Sequence, residues 1–303
     1  MRITQGMMVN NQVSRLQTRL ERFERAQSQL GTGKAILKPS EDPAAANRGL
    51  VLRASMRARE QEARNGADAR SWLDLADSKL QGAVERLHRA RDLTVAGASI
   101  KDPVSQRALA TEIAAIRAEL VGIANSQHAG RPLFTGFTEG VAVERAPVGD
   151  PDAGTWKYRG DAGAITRRVS EHDVVQVNLT ATDIFGVDEA GSGGDLFTLL
   201  DTIETALREG RQEVMTGKLA EVDAALERIG DQQGKLGAAT NRVDATMSRN
   251  RDEQLAIRSE LAVTEDVDVS GAVMELQTQE VAYQATLAAL SRVLQPSLVD
   301  FLR

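Results

Sequence analysis

The stretch YQATLAALSRVLQPSLVDFLR, residues 283–303, carries an apolar stripe that continues almost to the last residue. Its members recur every three or four residues, the spacing that places side chains on one face of a helix. They are Tyr283, Leu287, Leu290, Leu294, Leu298 and Phe301. Because exposing such a stripe to water is unfavourable, we expect this helix to have a partner.

The beginning of the sequence carries a matching stripe. Its apolar residues are spaced four and three apart, the pattern of a seam at which two helices pack at a shallow angle. They are Val9, Val13, Leu16, Leu20 and Phe23. We therefore predict that the two chain ends pair with each other. The periodicity alone allows a parallel or an antiparallel pair, and an ordinary helical bundle would show the same seams.

A short connector follows the first helix. Gly31 and Gly33 are predicted to end that helix, and Asp42 followed by Pro43 is predicted to begin the next one. Aspartate is favoured at the N-cap and proline at the first helical position, so this dipeptide is a helix start. The connector between the domains is assigned to Gly31, Gly33, Pro39, Ser40, Asp42 and Pro43.

Further helices frame a strand-rich stretch. Residues 73–90 and 109–123 hold apolar seams on either side of a second aspartate–proline start, and two helices joined by a short turn are expected to pack antiparallel. Turn-rich motifs and β-branched runs predict short strands over residues 131–186. One register then runs from Met215 to Leu261, enough for a helix of roughly 70 Å. Asp268 or Ser270 is predicted to cap the final helix.

These elements predict a mainly α fold, with a long antiparallel helical or coiled-coil bundle built from both chain ends and a small β-rich domain inserted at the tip. The expected divisions are the N-terminal helix of an inner, terminal domain, the first part of a helical bundle domain, the β-rich insert, the second part of the bundle, and the C-terminal helix of the terminal domain. Their boundaries are 1–42, 43–130, 131–191, 192–264 and 265–303.

The composition excludes several classes of function. The chain has 303 residues, a net charge of −6 and no cysteine. An acidic chain with interspersed charges is a poor candidate for binding nucleic acid or a membrane, and without cysteine it forms no disulfides. No apolar run reaches the roughly 18 residues of a membrane-spanning helix. Residues 1–17 lack the apolar middle of a secretory signal, so we expect any export to proceed without a cleaved signal of that kind.

The sequence shows no catalytic constellation. Its histidines, His88, His128 and His172, are about 40 residues apart and lie outside any zinc-binding spacing, so no metal site is predicted. The tetrapeptide GTGK lacks the spacing of a phosphate-binding loop. We therefore predict no catalytic residue, no cofactor and no small-molecule substrate, and we expect that the chain is not an enzyme.

Several stretches resemble a known family, the flagellin-like axial proteins of bacterial flagella. They are the start MRIT, the connector LGTGKAILKPSEDPAAANRGLVLR and the final helix. Within that family, the pair GTGK and PSEDP, the motifs RPLFTGF and YRGDAG, and the ending SLVDFLR are more similar to the hook–filament junction group than to flagellin. Pro296 departs from the family pattern, and we expect it to interrupt the last helix.

The resemblance implies a structural subunit of the flagellum, whose two terminal segments form an inner helical layer. Such a protein would join hook-associated protein 1 to the flagellin filament and would pack against identical subunits in a ring. An export chaperone would bind the C-terminal helix, and the chain would pass unfolded through the flagellar secretion channel to an extracellular location. The seam residues at both ends would be the subunit-packing residues.

Two alternatives remain open. The first is flagellin itself, the filament subunit, against which the connector and the RPLFTGF motif argue. The second belongs to another class, a soluble coiled-coil signalling adaptor, which would share the alanine-rich heptads without needing a strand insert. An enzyme is the weakest hypothesis.

Overall fold

The computed structural model describes residues 2–147, 153–188 and 194–301, with the backbone alone for residues 2–6, 8–9, 290 and 292–301. Within these ranges the helices are α1 (Arg2–Thr32), α2 (Pro43–Ser99), α3 (Pro103–Ala124), α4 (Ala181–Phe185), α5 (Leu196–Glu209), α6 (Gln212–Glu265) and α7 (Val269–Phe301). The strands are β1 (Gln127–His128), β2 (Arg131–Pro132), β3 (Val143–Arg145), β4 (Trp156–Tyr158), β5 (Thr166–Arg168) and β6 (Val174–Gln176).

The chain forms two compact units. The terminal unit comprises Met1–Ala58 and Glu253–Arg303, and the central unit comprises Arg59–Asp252. Each unit therefore contains parts of α2 and α6, which are continuous helices. The domain boundaries predicted after residues 42 and 264 stay predictions. The two compact units divide the chain within α2 and α6.

The predicted helix starts are confirmed. The Ala45 N–H donates to Asp42 Oδ1 at 2.9 Å, and α2 begins at Pro43. The Ser105 N–H donates to Asp102 Oδ2 at 2.9 Å where α3 begins. Both aspartates thus satisfy a backbone donor that the first helical turn leaves free.

The core of the central unit lies along the seam of α2. Its members Leu73, Ala76, Leu80, Ala83, Leu87 and Ala90 are all buried, as is Leu120 of α3. Arg86 pairs with Glu119 at 2.5 Å and Arg89 with Glu112 at 2.6 Å, so later residues of α2 meet earlier residues of α3. The predicted antiparallel packing of these two helices is confirmed.

The predicted long helix is also confirmed, because α6 is continuous over 54 residues. At a rise of about 1.5 Å per residue, its length is about 80 Å. In the central unit it runs antiparallel to α2, since Arg70 pairs with Asp244 and Arg91 with Asp223. Val222, Ile229 and Val243 lie buried on the side of α6 that faces this core.

In the described part of the strand-rich region, the strands form three separate antiparallel pairs, β1–β2, β3–β4 and β5–β6. Trp156 Nε1 in β4 donates to Asp201 Oδ2 of α5 at 2.9 Å, which ties one hairpin to the helices. Sequence patterns missed α4, a single turn capped by the Thr180 hydroxyl and ended by Gly186 at φ +73°. Its five residues are too few for a helical period to be visible. The predicted return at 186–195 lies partly outside the described residues.

Two local predictions near the chain ends are partly or wholly wrong. Of the two glycines predicted to end the first helix, Gly33 follows its last residue in the left-handed conformation at φ +69°, whereas Gly31 lies within α1, which continues to Thr32. Pro296 does not interrupt α7, which continues to Phe301. A proline removes one backbone hydrogen bond, and the leucine- and alanine-rich residues before it are strong helix formers.

Candidate assembly surface

Helices α1 and α7 pack against each other in the terminal unit. Lys34, just after α1, bonds to Asp266, just before α7, through its Nζ at 2.8 Å. Arg19, farther back in α1, donates to Gln279 Oε1, farther along α7, at 3.3 Å. The two helices therefore run antiparallel, and the predicted pairing of the chain ends is confirmed.

The contact between α1 and α7 is narrow and partly polar. Phe23 stacks on Tyr283 with ring centroids 6.5 Å apart and an angle of 17° between the planes. Ala26 on α1, and Ala272 and Gln279 on α7, are buried. Small and polar residues thus occupy much of the covered face, which limits the apolar area that the pair removes from water.

The predicted seams are only partly covered by this contact. Val13 is 37% exposed, Leu20 is 38% exposed, and Leu287 is 40% exposed. Leu16, Phe23 and Tyr283 are half-buried. The side chains of Val9, Leu290, Leu294, Leu298 and Phe301 lie outside the described residues. Their role in subunit packing, like that of the other seam residues, stays a prediction.

Helix α7 also carries apolar side chains away from α1. Met274 and Val281 are two positions from the buried Ala272 and the stacked Tyr283, which places them about 200° around the helix. Val281 is 67% exposed, and Met274 is exposed to a similar degree. A helix with apolar residues on opposite faces is typical of one that is enclosed on more than one side.

The remaining helices of the terminal unit continue this apolar surface. Leu50 and Val51 in the first part of α2 are exposed, as are Leu255 and Val263 in the last part of α6, Val263 by 85%. Single exposed apolar residues are normal on a protein surface, but their concentration in one small unit is typical of a packing surface. We call the large exposed apolar residues described in the terminal unit the assembly surface: Met7, Val13, Leu20, Leu50, Val51, Leu255, Val263, Val269, Val273, Met274, Val281 and Leu287.

Two short segments link the helices of the terminal unit, one between α1 and α2 and the other between α6 and α7, and they bond to each other. The Ala35 N–H donates to the Glu265 carbonyl at 2.7 Å, and the Val267 N–H donates to the Gly33 carbonyl at 3.0 Å. Asp268 caps α7 through the Ser270 N–H at 3.1 Å, so of the two predicted caps Asp268 is confirmed. Among the connector residues, Pro39, Ser40, Asp42 and Pro43 are exposed.

Electrostatic pairing steadies the connector. The hydrogen bond to Asp266 raises the pKa of Lys34. Arg25 donates to Glu41 at 2.7 Å, and this bond lowers the pKa of the Glu41 carboxyl. Glu41 Oε2 also accepts the Leu37 N–H at 3.0 Å. The connector is therefore bonded to α1 as well as to the start of α7.

The motifs RPLFTGF and YRGDAG meet at the base of the insert. Asp161 accepts the Phe137 N–H at 2.9 Å, the Gly163 N–H at 2.7 Å and the Thr138 hydroxyl at 2.9 Å. These bonds, the one from Phe137 first, lower the pKa of Asp161. Gly136 has φ +74°, and a Cβ there would overlap Asp161, so the close approach requires glycine. The two motifs form one structural node.

The described residues offer packing surfaces and little chemistry. Among them no group of three or more histidine, cysteine, aspartate or glutamate side chains could hold a metal ion. The His128 ring lies 5.3 Å from the Trp72 ring in an edge-on contact. Within the same residues no helix is long and apolar enough to cross a membrane.

Comparisons with known proteins agree with this architecture. The model of the bacterial flagellin N-terminal helical region matches residues 3–138, and that of the C-terminal helical region matches residues 219–302. Flagellar hook-associated protein 3 of Salmonella typhimurium is 26% identical over 94% of this chain and 95% of that protein. Flagellin of Bacillus subtilis is 24% identical over 97% of each chain.

A solved structure shows the same fold. The flagellar junction protein of Legionella pneumophila has a TM-score of 0.59 and 16% sequence identity, and the match covers 74% of this chain and 100% of that one. The two flagellin regions together match well over half of the chain, at both of the segments that build the terminal unit. The chain belongs to the flagellin family of bacterial flagellar structural proteins.

Proposed function

We propose that this chain is the adaptor that joins hook-associated protein 1 to the flagellin filament. The observation that carries the proposal is the assembly surface, because a subunit that must contact two different neighbours needs uncovered packing faces. Its similarity over nearly the full length to a hook-associated protein 3 supports the junction position over other places in the flagellum. In this role the chain catalyses no reaction. Its terminal helices pack against both neighbours, and the burial of apolar side chains supplies the binding free energy.

The free energy available from covering the surface is substantial. Leu50, Leu255, Val263, Met274 and Val281 are each mostly exposed. Burying side chains of this size contributes about 1–2 kcal/mol each. Part of that gain is offset by the ordering of side chains and by the association itself. Burial of several such residues together would be the main favourable contribution to packing in a ring of identical subunits.

The proposal includes the way the chain reaches its position. It would leave the cell through the flagellar secretion channel and would be held by an export chaperone at its C-terminal helix until assembly. Uncovered apolar faces on α7 support a need for such a protective partner, because they would otherwise promote aggregation. No residue in the proposal has a catalytic role.

Flagellin is the second candidate function. It is favoured by the match to Bacillus subtilis flagellin, which covers 97% of this chain. Both candidates use the terminal helices for packing, so the terminal unit cannot separate them. They differ in abundance and position, which a genetic experiment measures.

The test is deletion of the gene for this chain in its source cell, with the wild-type gene returned as a control. The junction role predicts bare hooks and flagellin released into the medium. Hooks without released flagellin would instead identify this chain as the filament subunit. Intact filaments and normal swimming in a strain with one copy of the gene would contradict both roles.

A further inference from the structure

The carboxylate of Glu265 joins three segments of the terminal unit. Glu265 is the last residue of α6 and is 8% exposed. Its Oε2 accepts from Arg53 Nη2 of α2 at 2.5 Å and lies 3.3 Å from Lys34 Nζ of the connector. A buried carboxylate is costly unless it is paired, and here two cations from different segments pair it.

Gly49 makes the seat for this carboxylate. A Cβ placed on Gly49 would overlap Glu265 Oε1, so the carboxylate occupies the space that a side chain at this position would take. Gly49 is buried in the middle of a helix, where glycine costs about 1 kcal/mol relative to alanine. The absence of a side chain at position 49 leaves room for the Glu265 carboxylate, which explains why glycine suits this position despite its cost.

The backbone holds the same place together. Lys34 and Asp266 pair as an isolated antiparallel bridge, so the chain entering α2 and the chain leaving α6 are joined side by side. Gln29 Nε2 donates to the Ala35 carbonyl at 2.7 Å, which links this bridge to the last turns of α1. Both chain crossings of the terminal unit are therefore tied to one carboxylate and one short bridge.

We propose that Glu265 is the positioning residue of the terminal unit: seated on Gly49 and bound by Arg53 and Lys34, it fixes the two crossings so that α1 and α7 leave them as an antiparallel pair in one register. Helices α1 and α7 share a narrow contact, so their register depends on where the crossings place them. The value of this register for assembly rests on the proposed function, whereas the positioning itself belongs to the isolated subunit.

Three variants separate the positioning role from simple charge loss. Glu265→Gln keeps the shape and removes the charge, and Gly49→Ala keeps the charge and displaces the carboxylate. Glu260→Gln is the matched control, because it removes one negative charge from an exposed glutamate of the same helix. We expect trypsin to cleave after Lys34 about five to ten times faster in the first two variants, since charged hydrogen bonds of this kind are worth that factor or more. The control should change less than about twofold.

A second readout measures the register directly. The chain has no cysteine, so Arg19→Cys with Gln279→Cys introduces the only pair for a short bismaleimide cross-linker. The yield of the cross-link should fall in the Glu265→Gln and Gly49→Ala backgrounds and persist in the Glu260→Gln background. Both tryptophans, Trp72 and Trp156, lie in the central unit, so the unfolding midpoint from their fluorescence should stay unchanged.

The outcomes decide the proposal. Faster cleavage after Lys34 and a lower cross-link yield, with an unchanged tryptophan midpoint, support it. Cleavage and cross-linking equal to those of the Glu260→Gln control would overturn it, and so would an equal loss of stability in the central unit. These experiments measure the isolated subunit and do not depend on the junction role. A deletion strain with normal filaments would overturn that role without deciding whether Glu265 positions the helices.

Discussion

The central and terminal units contain similar apolar residues but bury them to different extents. Leu80 and Leu120 of the central unit are fully buried, and so is Phe134 of the insert. Among the described side chains of the terminal unit, the buried apolar residues are Ala26, Leu52 and Ala272, while its larger apolar side chains are partly or mostly exposed. The central unit therefore contains its own core, whereas the terminal unit leaves most of its larger apolar side chains uncovered within the single chain.

The difference explains how one chain can be stable alone and still depend on assembly. Stability in a folded domain comes mainly from apolar burial, which the central unit completes by itself. Under the proposed function, the terminal unit would complete its burial when neighbouring subunits pack against it.

The largest expected effect is in the central core. Leu80→Ala should lower the free energy of unfolding by about 2–5 kcal/mol, because it leaves a cavity in a closely packed seam. Denaturant titration followed by tryptophan fluorescence measures it, since both tryptophans lie in that unit. The matched change Leu20→Ala in the terminal unit should leave this transition unchanged. Equal losses from both variants would erase the distinction between the units.

Limited proteolysis of the monomer sharpens the same contrast. Residues 1–40 and 268–303 should be trimmed about a hundredfold sooner than the central unit, because segments with less buried apolar surface open at a lower cost than a closed core. Mass spectrometry of the early fragments identifies the cut sites. Resistance of the terminal segments to protease in dilute monomer would mean that their apolar faces are already buried without a partner.

A charge on the assembly surface should separate folding from assembly. Val281→Asp should change the monomer's unfolding free energy by less than about 0.5 kcal/mol, as an exposed substitution does, yet cells that carry it should lose most of their attached filaments. Val174→Asp is the control, because it adds the same charge at an exposed valine of β6. Equal swimming of the two strains would argue against a packing role for α7.

The smallest expected effect is on pH dependence. The pKa of Asp161 is lowered in the folded state, so its stabilisation is present above the ordinary aspartate pKa of about 3.9 and is lost as the pH falls through the lower folded value. Asp161→Asn should weaken the acid dependence of the insert, followed by Trp156 fluorescence between about pH 5 and pH 2. Asp231→Asn, at an exposed position of α6, controls for the loss of one charge. An identical acid profile for both variants would contradict a stabilising role for the Asp161 bonds.

Much of this architecture was predictable from local patterns. The aspartate–proline starts at Asp42 and Asp102 were recognisable because a cap depends on residues adjacent in sequence. The length of α6 followed from a register that stays apolar over many turns. The stripes at both chain ends likewise predicted that α1 and α7 pair.

Other features depend on contacts that a single sequence does not encode locally. The stripes of α1 and α7 did not reveal that their contact is narrow and leaves Val13 and Leu287 exposed, because periodicity gives a face and not the area that a partner covers. Glu265 reads as an ordinary charged residue at a helix end until Gly49 and Arg53 are brought beside it. The node at Asp161 was visible only as two turn motifs, since its bonds span 24 residues.

The central claim is that the terminal unit is uncovered in the monomer and covered in the flagellum, and cysteine labelling tests it most directly. In this cysteine-free chain, Val281→Cys and Val174→Cys each provide one reactive thiol for a maleimide. The account predicts that both thiols react in the monomer and that in intact flagella only the thiol at position 281 is protected. Equal labelling of position 281 in the monomer and in intact flagella would contradict it.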